Sequence, residues 1–270
     1  MPLIACDGLD LYYDDVGSGP TLLWIPGTGL RGRTWEHQVA VFADRFRCIS
    51  VDLRGSGDST GADTDFTVTD LASDLAQLVD ALEVTKATVI GLSLGSAVAQ
   101  ELALLRPDLV NGLVLLATWS SSSQEHHLRR HFESRLYALE HGPIDVYAQF
   151  AFWMSSPWLY DHEPELQAVV EERLRGHMSA SPSGTAGHFR ADLKHETRDR
   201  LPKIDCPCLV VHGEDDLITL PWYNETVARL VPKATRVTIP RAGHLSWLER
   251  PDALAAHLEH FLARVHPDVC

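Results

Sequence analysis

The 270-residue sequence contains no apolar run of the roughly 18 residues that a membrane-spanning helix requires. Residues 1–15 carry neither the basic stretch nor the apolar stretch of a secretory signal peptide. The five cysteines are odd in number and irregularly spaced, which argues against a disulfide framework. These absences make a cytoplasmic protein with reduced thiols the expectation.

Basic residues are also scarce. The chain has 23 lysines and arginines against 37 aspartates and glutamates, which gives a formal net charge of −14. Proteins that bind nucleic acids or anionic lipid surfaces need a basic face, so we expect neither a nucleic acid nor a membrane as a partner. The remaining expectation is a monomer or homodimer that acts on a small molecule.

Short apolar runs that end at turn-forming residues alternate with segments of helical periodicity along most of the chain. The predicted strands are residues 9–15, 21–25, 46–51, 87–90, 112–117, 208–211 and 235–239, and the predicted helices are residues 70–82, 94–105, 222–230 and 252–264. Strands that alternate with helices predict an α/β fold with a mostly parallel, doubly wound sheet.

This alternation stops in the middle of the chain. Residues 120–200 contain no strand-like run bounded by turns, and they are rich in histidines and in aromatic residues: Tyr147, Phe150, Phe152, Trp153, Trp158 and Tyr160. We therefore expect residues 1–119 and 201–270 to form the α/β core and residues 120–200 to form an inserted helical cap.

The candidate nucleophile is Ser93, in the sequence Gly-Leu-Ser-Leu-Gly of residues 91–95. This pattern alone is weak evidence, but here it lies between a predicted buried strand and a predicted helix. That context is what a nucleophile elbow requires, since a tight turn with glycines on either side raises the serine hydroxyl above the edge of the sheet. A serine at neutral pH needs a base to accept its proton and an acid to orient that base.

Loops that follow later strands supply both groups. Among 14 histidines, His244 stands between the last predicted strand and the last predicted helix, at the same edge of the sheet as Ser93. The loop after residues 208–211 offers three carboxylates, those of Glu214, Asp215 and Asp216. Position alone leaves the choice among these three open.

Hydrolysis of an ester also needs donors for an oxyanion. We expect them to be the backbone N–H of Leu94, which follows the nucleophile, and that of Thr28, in the glycine-containing loop after residues 21–25. Candidate pocket walls are aromatic residues at and beyond the start of the cap: Trp119, Phe152, Trp153 and Trp158. His127 and His131 lie one helical turn apart without an accompanying carboxylate pattern, so we expect no metal and no cofactor.

Five segments in this order resemble the α/β-hydrolase superfamily: residues 26–28, 52–59, 91–95, 212–216 and 242–244. In the family pattern the acid stands three residues beyond the glycine that follows the strand, so the resemblance implies Asp216, with Asp215 as the alternative. The chain is most similar to the 3-oxoadipate enol-lactonases and related small esterases, on residues 91–95, on Phe152-Trp153-Met154 and on the spacing from Pro26 to Trp35.

The expected function is that of a serine hydrolase that cleaves a carboxylic ester or lactone of a small molecule through an acyl-enzyme. Two alternatives use the same triad: hydrolysis of a carbon–carbon bond in a β-diketone-like substrate, and cofactor-free perhydrolysis. Acidic groups or a second histidine near Ser93 would favour carbon–carbon cleavage. A third alternative is a non-hydrolytic biosynthetic enzyme or binder, against which an intact set of Ser93, Asp216 and His244 argues.

Overall fold

The computed structural model describes residues 2–6, 8–61, 65–141, 151–178 and 182–269. Its described part contains one eight-stranded sheet. The strands are β1 (Leu3–Cys6), β2 (Leu9–Val16), β3 (Thr21–Ile25), β4 (Arg47–Val51), β5 (Ala87–Leu92), β6 (Val110–Leu116), β7 (Cys208–Gly213) and β8 (Ala234–Ile239).

The strand order is β1-β2-β4-β3-β5-β6-β7-β8. β1 and β2 pair antiparallel, β2 pairs antiparallel with β4, and every pair from β4 to β8 is parallel. The predicted α/β fold with a mostly parallel sheet is confirmed. The carboxyl ends of the parallel strands share one edge, where ligands of such sheets bind.

Helices cover both faces of the sheet. They are α1 (Glu36–Phe42), α2 (Val68–Ala81), α3 (Leu94–Leu105), α4 (His126–His141), α5 (Pro157–His162), α6 (Pro164–His177), α7 (Pro182–Lys194), α8 (Pro221–Leu230), α9 (Ser246–Glu249) and α10 (Pro251–Val265). One apolar core contains buried residues of α2, α3 and α8, and a second contains those of α1 and α10. None of the helices in the described ranges is long and apolar enough to cross a membrane.

Two buried strands show why the apolar runs of the sequence predicted strands correctly. All five residues of β3 and all six of β5 are buried, as expected for continuous apolar runs with helices on both sides. The helix predicted at residues 70–82 is α2, which begins two residues earlier. Its N-terminus is capped by Thr67, whose hydroxyl accepts the N–H of Asp70, while the Asp70 carboxylate accepts the Thr67 N–H at 2.7 Å.

The stretch between β6 and β7 contains α4, α5, α6 and α7. In its described part it has no strand, and its only ladder contacts are isolated bridges of Ser121 with Glu196 and of Met178 with Leu30. We refer to residues 120–200 as the helical segment. The second bridge joins this segment to the loop after β3, so the segment lies over the carboxyl edge of the sheet.

Candidate active site

Ser93 stands at a strained turn between β5 and α3. Its backbone has φ +51° and ψ −119°, a conformation that non-glycine residues rarely adopt. The turn is tight enough to exclude side chains on either side: a Cβ on Gly91 would lie 2.1 Å from the Gly95 carbonyl oxygen, and one on Gly95 would lie 2.4 Å from that of Ile25. Glycine at both positions therefore permits a turn that sets Ser93 at the carboxyl end of β5.

Asp216 and His244 meet at the neighbouring strand ends. His244 Nδ1 lies 2.9 Å from Asp216 Oδ2, which also accepts the Thr219 hydroxyl at 2.6 Å. Burial alone would raise the pKa of Asp216, but the charge of His244 and the hydrogen bonds from His244, Thr219 and Ile218 outweigh it and hold the pKa below its usual value. An ionised carboxylate can only accept, so Nδ1 carries a proton, and in the neutral imidazole Nε2 is then the acceptor.

The other two carboxylates of this loop point elsewhere. Asp215 accepts the Ser156 hydroxyl of the helical segment at 2.5 Å, and Glu214 accepts the backbone N–H of Arg241 at 3.1 Å. Of the three carboxylates that the sequence left open, Asp216 is the one that contacts His244.

The loop after β3 lies directly beside Ser93. A Cβ on Gly27 would stand 3.4 Å from Ser93 Cβ, and Thr28 lines the same cavity as Ser93. Within the described residues, neither the Thr28 N–H nor the Leu94 N–H has a hydrogen-bond acceptor. Two unpaired backbone donors beside a serine have the composition of an oxyanion hole.

Two buried side chains of α7 hold this loop, and neither was indicated by the sequence pattern. Asp192 accepts the Thr28 hydroxyl at 2.9 Å. His188 Nδ1 accepts the Gly29 N–H at 3.1 Å while its Nε2 donates to the carbonyl of Arg54 at 2.8 Å. Burial lowers the pKa of His188 to about 4, so the ring is neutral and one tautomer satisfies both contacts.

Asp192 makes stability depend on pH. Burial raises the pKa of its carboxyl to about 8, against about 4 in an unfolded chain. Between these values the folded state holds a proton that the unfolded state has released, so stability falls as the pH rises. Asp192→Asn has no such proton, and we expect its free energy of unfolding to fall less than that of the wild type between about pH 5 and about pH 9.

Urea unfolding at a series of pH values measures this difference. Burial also raises the pKa of Glu249, to about 7, but that residue is present in both proteins and cancels in the comparison. Parallel stability curves for wild type and Asp192→Asn would contradict the protonated state of Asp192.

Glu249 joins the histidine loop to the helical segment. Its carboxylate accepts the backbone N–H of Gly243 at 2.8 Å and that of Ser156 at 3.2 Å. A Cβ on Gly243 would stand 2.6 Å from the Ser156 nitrogen, so the two backbones are in close contact. His244 is therefore positioned by the helical segment as well as by Asp216.

Ser93 and His244 line one cavity of about 40 Å³ with Thr28 and His131 as the other polar side chains. The apolar side chains of the lining are Leu30, Leu92, Phe132, Met154, Leu174, Met178, Phe189, Ile218 and Trp247. The core and the helical segment both contribute to this wall. The cavity is lined mostly by apolar side chains with a few polar groups, as small-molecule sites are.

The aromatic residues expected as pocket walls lie elsewhere. Trp119 is fully buried and donates its indole N–H to Ser122, Phe152 and Trp153 are largely exposed, and Trp158 stacks on His162 at 3.8 Å. None of the four is among the described residues that line the cavity. Two further aromatics of the predicted cluster, Tyr147 and Phe150, fall outside the described residues.

No group of three or more histidine, cysteine, aspartate or glutamate side chains in the described ranges is arranged to hold a metal ion. Of the two histidines considered as a metal pair, His127 is exposed and His131 lines the cavity. The pair therefore does not share one environment.

Comparison with known proteins bears on the family to which the chain belongs. The model of the alpha/beta hydrolase family matches residues 22–257. A Mycobacterium tuberculosis protein named "Putative non-heme bromoperoxidase BpoC" is 34% identical over 265 residues, covering 95% of this chain and 99% of the relative.

Two solved structures bear on the resemblance to small esterases and enol-lactonases. A thermophilic esterase from Thermogutta terrifontis superposes with a TM-score of 0.85 at 29% identity, covering 98% of this chain and 97% of that one. An enol-lactonase from Burkholderia xenovorans LB400 gives a TM-score of 0.83 at 24% identity, covering 97% and 100%, which shows a shared fold. The family model, the sequence relative and the shared fold lead to one conclusion: the chain belongs to the alpha/beta hydrolase family.

Proposed function

We propose that this hydrolase cleaves a carboxylic ester or lactone of a small molecule through an acyl-enzyme on Ser93. The observation that carries the proposal is the contact of His244 Nδ1 with Asp216, in a cavity that His244 and Ser93 line together. This contact leaves Nε2 as the ring atom that can accept a proton, which is the arrangement that activates a serine.

The reaction then has two halves. Ser93 Oγ attacks the carbonyl carbon while His244 Nε2 takes the hydroxyl proton, and the developing oxyanion is bound by the N–H groups of Thr28 and Leu94. His244 returns the proton to the leaving oxygen as the carbon–oxygen bond breaks. Water, deprotonated by the same nitrogen, then releases the acid and restores the serine.

The helical segment supplies the roof of this site. Phe132, Met154 and Phe189 come from it. These apolar side chains limit the number of water molecules that can reach the acyl-enzyme. The volume of about 40 Å³ suits a short acyl group. We therefore propose that the segment acts as the cap expected from the sequence.

Carbon–carbon bond hydrolysis is the second candidate, because a second histidine, His131, lines the cavity with Ser93 and His244. In that reaction the leaving group is a carbanion, which must be protonated as the carbon–carbon bond breaks. The esterase from Thermogutta terrifontis, at 29% identity, supports ester cleavage as the first candidate.

The experiment is a panel of short 4-nitrophenyl esters, small lactones and a β-diketone, combined with labelling by a fluorophosphonate. We expect ester or lactone turnover and one label per chain, on Ser93. Turnover of the diketone alone would select the second candidate. Folded protein that neither takes the label nor turns over any substrate would refute both.

A further inference from the structure

Polar side chains are distributed unevenly between the two parts of the chain that line the cavity. The helical segment contributes six side chains to the lining, and five of them are apolar. The sixth is His131, on α4, which lines the cavity together with Ser93 and His244 of the core. The lining contains no lysine or arginine among the described residues.

Among the residues that the structure describes, the imidazole of His131 has no hydrogen-bond partner. Its ring contacts that of Phe132 edge-on, with centroids 6.1 Å apart. The residue is only partly buried and lines the cavity, so a ligand bound there can supply the hydrogen bonds that the protein does not.

The ring is also uncharged. Burial, followed by the positive charge of Arg135 one helical turn away, lowers the pKa of His131 to about 3. A neutral imidazole has one donor and one acceptor, so it recognises an uncharged hydrogen-bonding group. It offers no charge to pair with a carboxylate, and Arg135 does not line the cavity.

We propose that His131 determines specificity, by hydrogen bonding to an uncharged polar group of the substrate's acyl portion, such as a ketone or hydroxyl oxygen, in a pocket that disfavours a carboxylate there. This inference rests on the proposed ester hydrolysis and names the class of acyl group that the site prefers. His131 itself takes no part in breaking the ester bond.

Three ethyl esters of similar size test the proposal, with acid release followed at constant pH: ethyl 4-oxopentanoate, ethyl 4-methylpentanoate and monoethyl succinate. They place a ketone, a methyl branch and a carboxylate at one position. We expect the wild type to prefer the ketone to the branched alkyl ester, and to turn over the succinate at least about 50-fold less well in kcat/KM, because an unpaired charge is costly in an apolar wall.

The variant is His131→Phe, which keeps a ring and removes the hydrogen bond. We expect the ketone-to-alkyl ratio of kcat/KM to fall about fivefold, the worth of one neutral hydrogen bond. His131→Asn keeps a neutral donor and acceptor and should retain part of the preference. His127→Phe is the matched control, since it makes the same change on an exposed position of the same helix and should leave the ratio as in the wild type.

The ratio within each variant is the readout, so a general loss of rate cancels. An unchanged ratio in His131→Phe, with esters still hydrolysed, overturns the role of His131 and leaves the proposed function standing. A preference for the succinate overturns it too, and would point to Arg135 as the group that binds the acyl portion. Absence of turnover with all three esters and with the 4-nitrophenyl panel refutes the proposed function and this inference together.

Discussion

Ser93→Ala is expected to lower kcat for a short 4-nitrophenyl ester by about 10⁴-fold or more, because loss of the nucleophile removes the acyl-enzyme route. The backbone of the turn should tolerate the change. Alanine and serine are equally strained at φ +51°, and the close contacts of the elbow involve Gly91 and Gly95. Steady-state kinetics and thermal unfolding of the same preparation measure the two effects separately.

Ser96→Ala is the matched control. Its hydroxyl is buried three residues along the chain and donates to the Ser93 carbonyl at 2.6 Å, so its removal affects packing near the elbow without touching the nucleophile. We expect its kcat to stay within about tenfold of the wild type, the effect of losing one buried hydrogen bond. Near-normal turnover by Ser93→Ala would contradict the whole assignment of the site.

Asp216→Asn is expected to lower kcat by about 10³- to 10⁴-fold while the protein remains folded. An amide at this position can present an N–H to His244 Nδ1, which would leave the proton on Nε2 and deprive Ser93 of its base. The amide keeps one oxygen to accept the backbone N–H groups of Ile218 and Thr219, so the local turn is preserved.

Asp215→Asn provides the comparison, since it makes the same change one residue away. Asp215 contacts Ser156 and not His244. We expect it to lose stability with kcat within about tenfold of the wild type. A larger loss of kcat in Asp215→Asn than in Asp216→Asn, measured with the same ester, would reverse the assignment of the acid.

The sequence was informative wherever a short segment determines its own geometry. Gly91, Ser93 and Gly95 specify a turn whose tightness follows from local sterics. The apolar runs of β3 and β5 predict buried strands because both faces of the sheet are covered by helices. The strand ends at which Ser93, Asp216 and His244 stand follow from a parallel sheet, which brings successive carboxyl ends to one edge. Their catalytic roles stay predictions until the variants are measured.

The pocket could not be predicted in the same way. Among the aromatics chosen from composition, Trp119 is buried against Phe132 and His195, Phe152 and Trp153 are exposed, and Trp158 stacks on His162. His131 and Asp192 lie on helices whose inward face depends on how the segment packs over the sheet, and helical periodicity does not specify that placement. β1 and α1 were also missed, because a four-residue edge strand and a seven-residue helix give little periodic signal.

The hydrogen bonds of His188 and Asp192 bear on attempts to change the substrate range by exchanging parts between relatives. Replacing residues 120–200 by the corresponding part of another hydrolase would change the roof of the pocket. It would also remove the two side chains that hold Thr28 and Gly29 beside Ser93. A chimera that keeps histidine and aspartate at positions 188 and 192 should therefore retain more of its rate than one that exchanges the whole stretch, since these two side chains support the loop after β3.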